Sequence, residues 1–142
     1  MIISFKTQFP WGEPTNFEQK IKDGLKINTI RRDKHCRWKP GMQIHMATGV
    51  RTSNYNCFDD TKYCKSVQSI KMNYYREGDI LRNFEIIIDG DLFYSQSGYG
   101  SFGSGNLDIL AKNDGFDSTD DFLRFFDNCF EGRIISWTPF RY

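Results

Sequence analysis

The spacing of apolar positions predicts two helices, one near each end of the chain. Thr15-Asn16-Phe17-Glu18 matches a capping box, in which the Thr hydroxyl and the Glu carboxylate each accept from a backbone amide at the helix start. Ile21 lies one helical turn after Phe17, and Gly24 supplies a residue suited to ending the helix. A second helix is expected near Ser118, with Ser118 or Asp117 as its cap. Its apolar stripe comprises Phe122, Phe125, Phe126 and Cys129.

Between these helices, alternating apolar and polar residues predict strands. The segment 26–31 reads as a strand with Ile27 and Thr29 on one face. Asp89-Gly90 favours a two-residue hairpin turn, because both central positions of a type I′ turn need positive φ. Further strands are expected at 42–46, 66–75, 83–88, 92–94 and 133–138. Helices and strands do not alternate regularly, so we expect an α+β fold with a mixed or antiparallel sheet curled into a small β-barrel.

Two segments break the periodic pattern. Residues 51–63 are polar and rich in turn formers, which predicts a loop. Residues 97–105 combine glycine and serine with two aromatic residues, so their backbone should be mobile or should approach another group closely.

The length of 142 residues favours a single domain covering the whole chain. With a mean hydropathy of −0.58 and no apolar run of about 18 residues, no membrane span is expected. The first residues lack the apolar core of a secretory signal, which predicts a cytoplasmic protein. The four cysteines match no zinc-binding pattern, so we expect reduced thiols and neither a metal nor a cofactor.

The formal net charge of +1 conceals a strong polarity along the chain. Residues 1–76 hold 14 basic and 6 acidic side chains, whereas residues 77–142 hold 5 and 12. Six of the basic residues fall within residues 26–39 and are opposed only by Asp33. Such a density attracts polyanions if the side chains share a face. Alternatively, the two halves neutralise each other in the fold and the basic residues form an ordinary solvated surface.

Two motifs carry a resemblance to a known family. Gly24-x-Lys26-x-x-Thr29-Ile30-Arg31, followed by Trp38-x-x-Gly41, resembles the signature of ASCH domains, which are relatives of the PUA fold. Asp114-Gly115-Phe116, followed by 118–122, resembles the start of a helix in that family. The resemblance covers about residues 14–49 and 110–142 and implies a small barrel whose cleft binds RNA or a nucleotide. The segments 51–63 and 97–105 would then be loop insertions.

One branch of that family is similar to a small amidohydrolase that removes the acetyl group from N4-acetylcytidine with a Lys, a Thr and a Glu. By motif, the Lys is Lys26 and the Thr is Thr29, while the third position falls on Asp114, one methylene shorter than Glu, with Asp117 as a substitute. A Thr hydroxyl needs a base to become a nucleophile, and a Lys serves only if its pKa is lowered. In a regular strand, however, Lys26 and Thr29 would point to opposite faces, unless a bulge or the strand's start re-aims one of them.

The resemblance also supports binding without catalysis, with RNA or a nucleoside or nucleotide as the partner. The cations available for phosphates are Arg31, Arg32, Lys34, Arg37 and Lys39. Aromatic faces for base stacking are offered by Trp38, Tyr55 and Tyr99, although Trp38 also suits a core position. A third interpretation, a protein-interaction module, follows from the charge asymmetry, which would let the chain dock a protein partner.

Overall fold

The computed structural model describes all 142 residues and contains nine strands and three helices. In chain order the elements are β1 (Ile2–Ser4), α1 (Phe17–Lys22), β2 (Asn28–Arg31), β3 (Gln43–Thr48), β4 (Asn56–Tyr63), β5 (Ser66–Glu77), β6 (Ile80–Ile88), β7 (Asp91–Ser97), β8 (Gly100–Phe102), α2 (Asn106–Asn113), α3 (Thr119–Phe125) and β9 (Phe130–Ser136). None of the three helices combines the length and the apolar character that a membrane span requires.

The strands form two separate sheets. The larger has the order β2-β9-β5-β6-β7-β8 and is antiparallel throughout. The smaller has the order β1-β3-β4, with β1 parallel to β3 and β3 antiparallel to β4. The expected α+β class with mostly antiparallel pairing is therefore confirmed. The expected barrel is not formed, because closure requires the two edge strands of a sheet to pair and β2 and β8 remain at opposite edges.

Each face of the large sheet packs on its own hydrophobic cluster. Residues directly opposite each other in antiparallel strands share a face, so the pairing of Ile30 with Ile134 places both on one side. That side packs against α2 and α3 through Leu110 and Phe122. The neighbouring Ile135 faces the opposite side, where the cluster also contains residues of the small sheet. We call these the helical cluster and the inter-sheet cluster.

Two segments differ from the sequence-based expectation, and a third agrees with it. The predicted loop at 51–63 is wrong over β4, which is an edge strand with polar side chains on both faces and so lacks apolar alternation. The segment 97–105 makes the close backbone approach that was one of its two expected states, because β8 pairs with β7 and a Cβ at Gly103 would lie 2.5 Å from the carbonyl oxygen of Phe93. Helix α2 was not predicted, although Leu107, Leu110 and Ala111 are spaced for one helical face and all three are buried.

The two expected helices form, but only one of them is capped as predicted. Ser118 accepts a hydrogen bond from the amide of Asp121 at 3.1 Å and caps α3. At α1 the expected capping box is absent, because Asn16 occupies the N-cap in the left-handed region and the Thr15 hydroxyl donates to the carbonyl of Lys6 at 2.6 Å. Gly24, with φ of 74°, follows α1 as expected.

All four cysteines are free thiols. Cys64 lies in the inter-sheet cluster, and burial raises the pKa of its thiol. Cys129, expected as a core residue on α3, is exposed because the helix ends at Phe125 and the apolar stripe stops before it. Its sulfur instead accepts a hydrogen bond from the amide of Tyr74 at 3.4 Å.

A substitution at Gly132 tests how closely β2 and β9 approach each other. A Cβ atom at this position would clash with the carbonyl oxygen of Arg31 and with the ring of Phe130. We expect Gly132→Ala to lower the free energy of unfolding by about 1–3 kcal/mol, as overpacking does in other cores. Urea denaturation measures the loss. The matched control is Gly98→Ala, since a Cβ there meets no atom within 4 Å, and equal stability of the two variants would contradict the packing described.

Candidate functional site

A pocket of about 220 Å³ lies beside the free edge of β2, where the two hydrophobic clusters meet. Its aromatic walls include rings of both clusters and the exposed ring of Phe125; the cluster rings are Phe5, Phe9, Phe17, Phe116 and Phe126. Four polar or charged residues of the predicted site also line it: Lys26, Thr29, Arg31 and Asp114. The fold thus brings together residues that are 88 positions apart in the sequence.

Lys26 reaches this pocket because β2 begins later than expected. The first strand residue is Asn28, so Lys26 precedes the strand and is not bound by its alternation of faces. The amide of Lys26 instead donates to the carbonyl of Lys20 at 3.1 Å, in the connection that follows α1. Because the strand starts only at Asn28, the alternation of faces does not separate Lys26 from Thr29. Both residues line the pocket.

Asp114 is positioned by the way in which α2 ends. The amide of Phe116 donates to the carbonyl of Ala111, and the amide of Gly115 donates to that of Lys112, both at 2.9 Å. With Gly115 at φ of 91°, these bonds form a Schellman motif, which places Asp114 at the C-cap. A Cβ at Gly115 would lie 2.8 Å from Cδ of Lys26, so glycine is also required for the Lys26 side chain to pass.

Lys26 and Asp114 form a buried ion pair. Nζ of Lys26 lies 3.1 Å from Oδ1 of Asp114 and also donates to the main-chain carbonyl of Asp114, at the end of α2 where a cation is favoured. Oδ1 accepts a further bond from the amide of Ile30 at 3.1 Å. Nζ stands 4.5 Å from the ring centroid of Phe17, within the range of a cation–π contact.

Burial disfavours charge on both members of this pair. Desolvation lowers the pKa of Lys26, with Asp114 opposing the shift and Arg31 and Lys20 adding to it. Desolvation likewise raises the pKa of Asp114, opposed by Lys26 and by the amide of Ile30. A Lys side chain in this setting is closer to the neutral amine, which accepts a proton, than a lysine in water.

Arg31 and Thr29 have polar groups left over for a ligand. The guanidinium of Arg31 donates to the carbonyl of Ser4 and stacks 5.4 Å from the ring centroid of Phe5, but its Nε is buried with no hydrogen-bond partner. Burial lowers the pKa of Arg31. Thr29 is 5% exposed, and its hydroxyl forms no hydrogen bond with another protein group.

Two supporting residues of the site, Asn28 and Tyr142, were not predicted from the sequence. Asn28 is fully buried, and its Oδ1 accepts a hydrogen bond of 2.7 Å from the Tyr142 hydroxyl. Its Nδ2 lies 3.5 Å from Oδ1 of Asp114. Burial raises the pKa of Tyr142, so the phenol remains a donor. The signal that could have identified Asn28 is a polar side chain at a position of the strand 28–31 that the fold buries.

The remaining predicted binding residues do not join this pocket. Trp38 is 7% exposed within the inter-sheet cluster, so the expectation of a stacking face there is corrected in favour of a core position. Tyr99 is fully exposed beyond the end of β7, and Tyr55 is also exposed away from the pocket. Arg37 and Lys39 are exposed outside it. Arg32 and Lys34 line a separate depression.

Two ion pairs join the basic and acidic halves of the chain: Lys26 with Asp114 and, at 2.9 Å, Lys20 with Asp117. Asp117, the alternative to Asp114 in the site, is thus committed to Lys20 at the surface and does not line the pocket. The other predicted cations of residues 31–39 form no pair with the acidic half. Mutual neutralisation of the halves is therefore only partial.

Comparison with models of protein families, with curated proteins and with solved structures finds no match to this chain. The resemblance to ASCH domains therefore stays a prediction that rests on the two sequence motifs.

The buried pair predicts a pH-dependent loss of stability when its carboxylate is neutralised. Asp114→Asn leaves the Lys26 ammonium buried without a counter-charge, so we expect a loss of about 3–5 kcal/mol in the free energy of unfolding near neutral pH. The folded state of this variant releases the Lys26 proton at a lower pH than the unfolded state, whose pKa is near 10.5. Because the unfolded state then binds more protons, stability should rise with pH up to about that value.

Urea denaturation across that pH range measures the effect. Asp117→Asn is the matched control, since it removes an exposed carboxylate from a surface pair and should cost at most about 1 kcal/mol. A pH-independent loss in Asp114→Asn, or equal losses in the two variants, would contradict the buried pair.

Proposed function

We propose that the pocket at the edge of β2 binds a single nucleobase, presented by RNA or by a nucleoside or nucleotide. Planar heterocycles stack on aromatic side chains, and the walls supply rings from two sides. A volume of about 220 Å³ suits one base and leaves the sugar and phosphate outside. The Lys-x-x-Thr-Ile-Arg segment of the ASCH resemblance lies along the same pocket, which supports the same class of ligand.

The observation that carries this proposal is the set of unsatisfied polar groups among aromatic walls. A buried donor without a partner costs about 1–3 kcal/mol, so Arg31 Nε is an exception that a bound acceptor would remove. The hydroxyl of Thr29 is both a donor and an acceptor, as the edge of a base requires. An apolar ligand would satisfy neither group, whereas the carbonyl and ring nitrogens of a base satisfy both.

Thr29→Val tests the proposal, because it keeps the shape of the side chain and removes the hydroxyl. Isothermal titration with the four ribonucleosides and N4-acetylcytidine should show binding of at least one of them to the wild type. The variant should bind that ligand about 3–10-fold more weakly, the equivalent of one hydrogen bond. Thr119→Val, on α3 and outside the pocket, should bind normally. Absence of binding by the wild type, or unchanged affinity in Thr29→Val, would contradict the proposal.

The second candidate function is an amidohydrolase acting on N4-acetylcytidine. It is favoured by one observation: Lys26, whose pKa is lowered, lines the same pocket as Thr29 and contacts the carboxyl of Asp114. In this mechanism the neutral amine of Lys26 takes the proton of Thr29 as Oγ1 attacks the acetyl carbonyl carbon. Asp114, 3.1 Å from Nζ, orients the amine, and Arg31 faces the developing oxyanion.

The reaction balances without a cofactor. The bond between the acetyl carbon and N4 breaks, and cytidine leaves with the proton that Lys26 received. Water then hydrolyses the acetyl ester on Thr29, which releases acetate and restores the hydroxyl. The shorter Asp at position 114 is accommodated because Lys26 also donates to the main-chain carbonyl of the same residue, which holds the amine close to the C-cap.

Release of acetate from N4-acetylcytidine distinguishes the two functions. If the chain is an amidohydrolase, Thr29→Ser should retain turnover, whereas Thr29→Val should lose about 10³-fold or more, because only serine keeps a nucleophile. Binding of the substrate by Thr29→Val, measured by titration, controls for a damaged pocket. No acetate from the folded wild type, or equal rates in the two variants, would exclude this mechanism and leave binding as the function.

A further inference from the structure

A second depression, of about 540 Å³, opens on the face of the large sheet that also carries Ile135. Four cations line it: Arg32, Lys34, Lys71 and Arg133. We call it the cationic groove. Two of its cations come from the basic run of residues 26–39, but Lys71 lies on β5 and Arg133 on β9, so the groove is assembled by the fold.

The strand register places this groove beside the pocket at the edge of β2, which we call the base pocket. Arg133 is directly opposite Arg31 in the pairing of β2 with β9, so both side chains lie on the same face. Arg133 is also opposite Ser69, two residues from Lys71 on β5. Arg31 lines the pocket and Arg133 lines the groove, so the two sites are separated by one cross-strand pair.

None of the four cations of the groove forms an ion pair with a carboxylate of the protein. None of them lies within 4.0 Å of a carboxylate, whereas the chain forms eight ion pairs with other cations. The guanidinium of Arg133 donates to the sulfur of Cys36 at 2.9 Å, which supplies no counter-charge in the thiol form. An exposed surface with unpaired cations attracts anions.

Two acidic residues line the groove and offset part of its charge. The side chain of Asp33 is 2% exposed, and its oxygens accept the amides of Arg37 at 3.0 Å and Trp38 at 3.1 Å. Burial alone would raise the pKa of Asp33, but these amides and the charges of Arg37 and Arg133 outweigh it and lower the pKa, so the carboxylate stays ionised. Glu131 lies opposite Lys71, so four cations against two carboxylates leave an excess of +2.

We infer that the cationic groove binds successive phosphates of a single-stranded nucleic acid whose base occupies the pocket. This inference rests on the proposed function and specifies its ligand as a strand. Lys71 and Arg133 are diagonal neighbours on adjacent strands, about 7–8 Å apart at Cα. That spacing exceeds the span of one phosphate group and suits two phosphates along a strand, which a free base or nucleoside cannot supply.

The test compares the double variant Lys71→Gln/Arg133→Gln with the wild type. Fluorescence anisotropy with a labelled single-stranded RNA of mixed sequence gives the affinity over a series of salt concentrations. Each phosphate contact on a single strand contributes about 0.7 to the slope of log affinity against log salt, so the variant should lose about 1.4. Nucleoside affinity, measured by titration, should be unchanged.

The matched control is Lys112→Gln/Arg82→Gln, which removes the same charges from exposed surface pairs outside the groove. It should keep most of the salt slope. The single variant Lys71→Gln changes an exposed residue and should lower the salt slope by about 0.7. It shows whether the effect persists when Arg133 is kept, so that a folding defect caused by the loss of Arg133 is not mistaken for a loss of binding.

The outcomes separate the inference from the function on which it rests. If nucleosides bind but the groove variant binds RNA with an unchanged slope, the inference is overturned and the base pocket stands. If the wild type binds a nucleoside triphosphate but no RNA strand, and the groove variant binds that triphosphate more weakly, a free nucleotide is the ligand. The inference is then again overturned. If the wild type binds neither nucleosides nor RNA, both proposals are wrong.

Discussion

The contact between Lys26 and Asp114 is the constraint on which the site depends, because it joins the end of α2 to the free edge of β2. The carboxylate takes the place of a neighbouring strand by accepting the amide of Ile30, while the ammonium satisfies the carbonyl at the helix end. A buried ion pair is seldom the most stable solution, since apolar residues of similar volume often serve as well or better. The presence of this ion pair between the helical cluster and the inter-sheet cluster is therefore better explained by specificity or function than by stability.

The two proposed functions require different protonation states of this pair. In the ionised form Lys26 is tied to Asp114 by two hydrogen bonds, so binding of a base would fall to Thr29 and Arg31. The proposed amidohydrolase reaction would require the neutral form, in which Lys26 is a base. Burial already lowers the pKa of Lys26, which moves its side chain toward the neutral form.

Local sequence patterns predicted the features that depend on a single helix or turn. They did not predict the features that depend on how the elements pack together. The cap at Ser118 and the hairpin at Asp89-Gly90 follow from short-range chemistry, and the two residues of the turn have φ of 51° and 86°. The convergence of Lys26 and Thr29 came from the motif, since the strand pattern argued against it until the start of β2 was known. The polar edge strand β4 has no apolar alternation from which it could be predicted.

Charge density along the sequence was a poor guide to charge density on the surface. The basic run of residues 26–39 is divided by the fold: Lys26 is buried, Arg31 reaches the pocket, and Arg32 and Lys34 reach the groove. The division follows from the end of β2 at Arg31, after which the turn held by Asp33 redirects the chain and buries Trp38. The cations that complete the groove come from β5 and β9. A surface that gathers cations from three separate segments therefore arises here from strand register, which no linear count of charges contains.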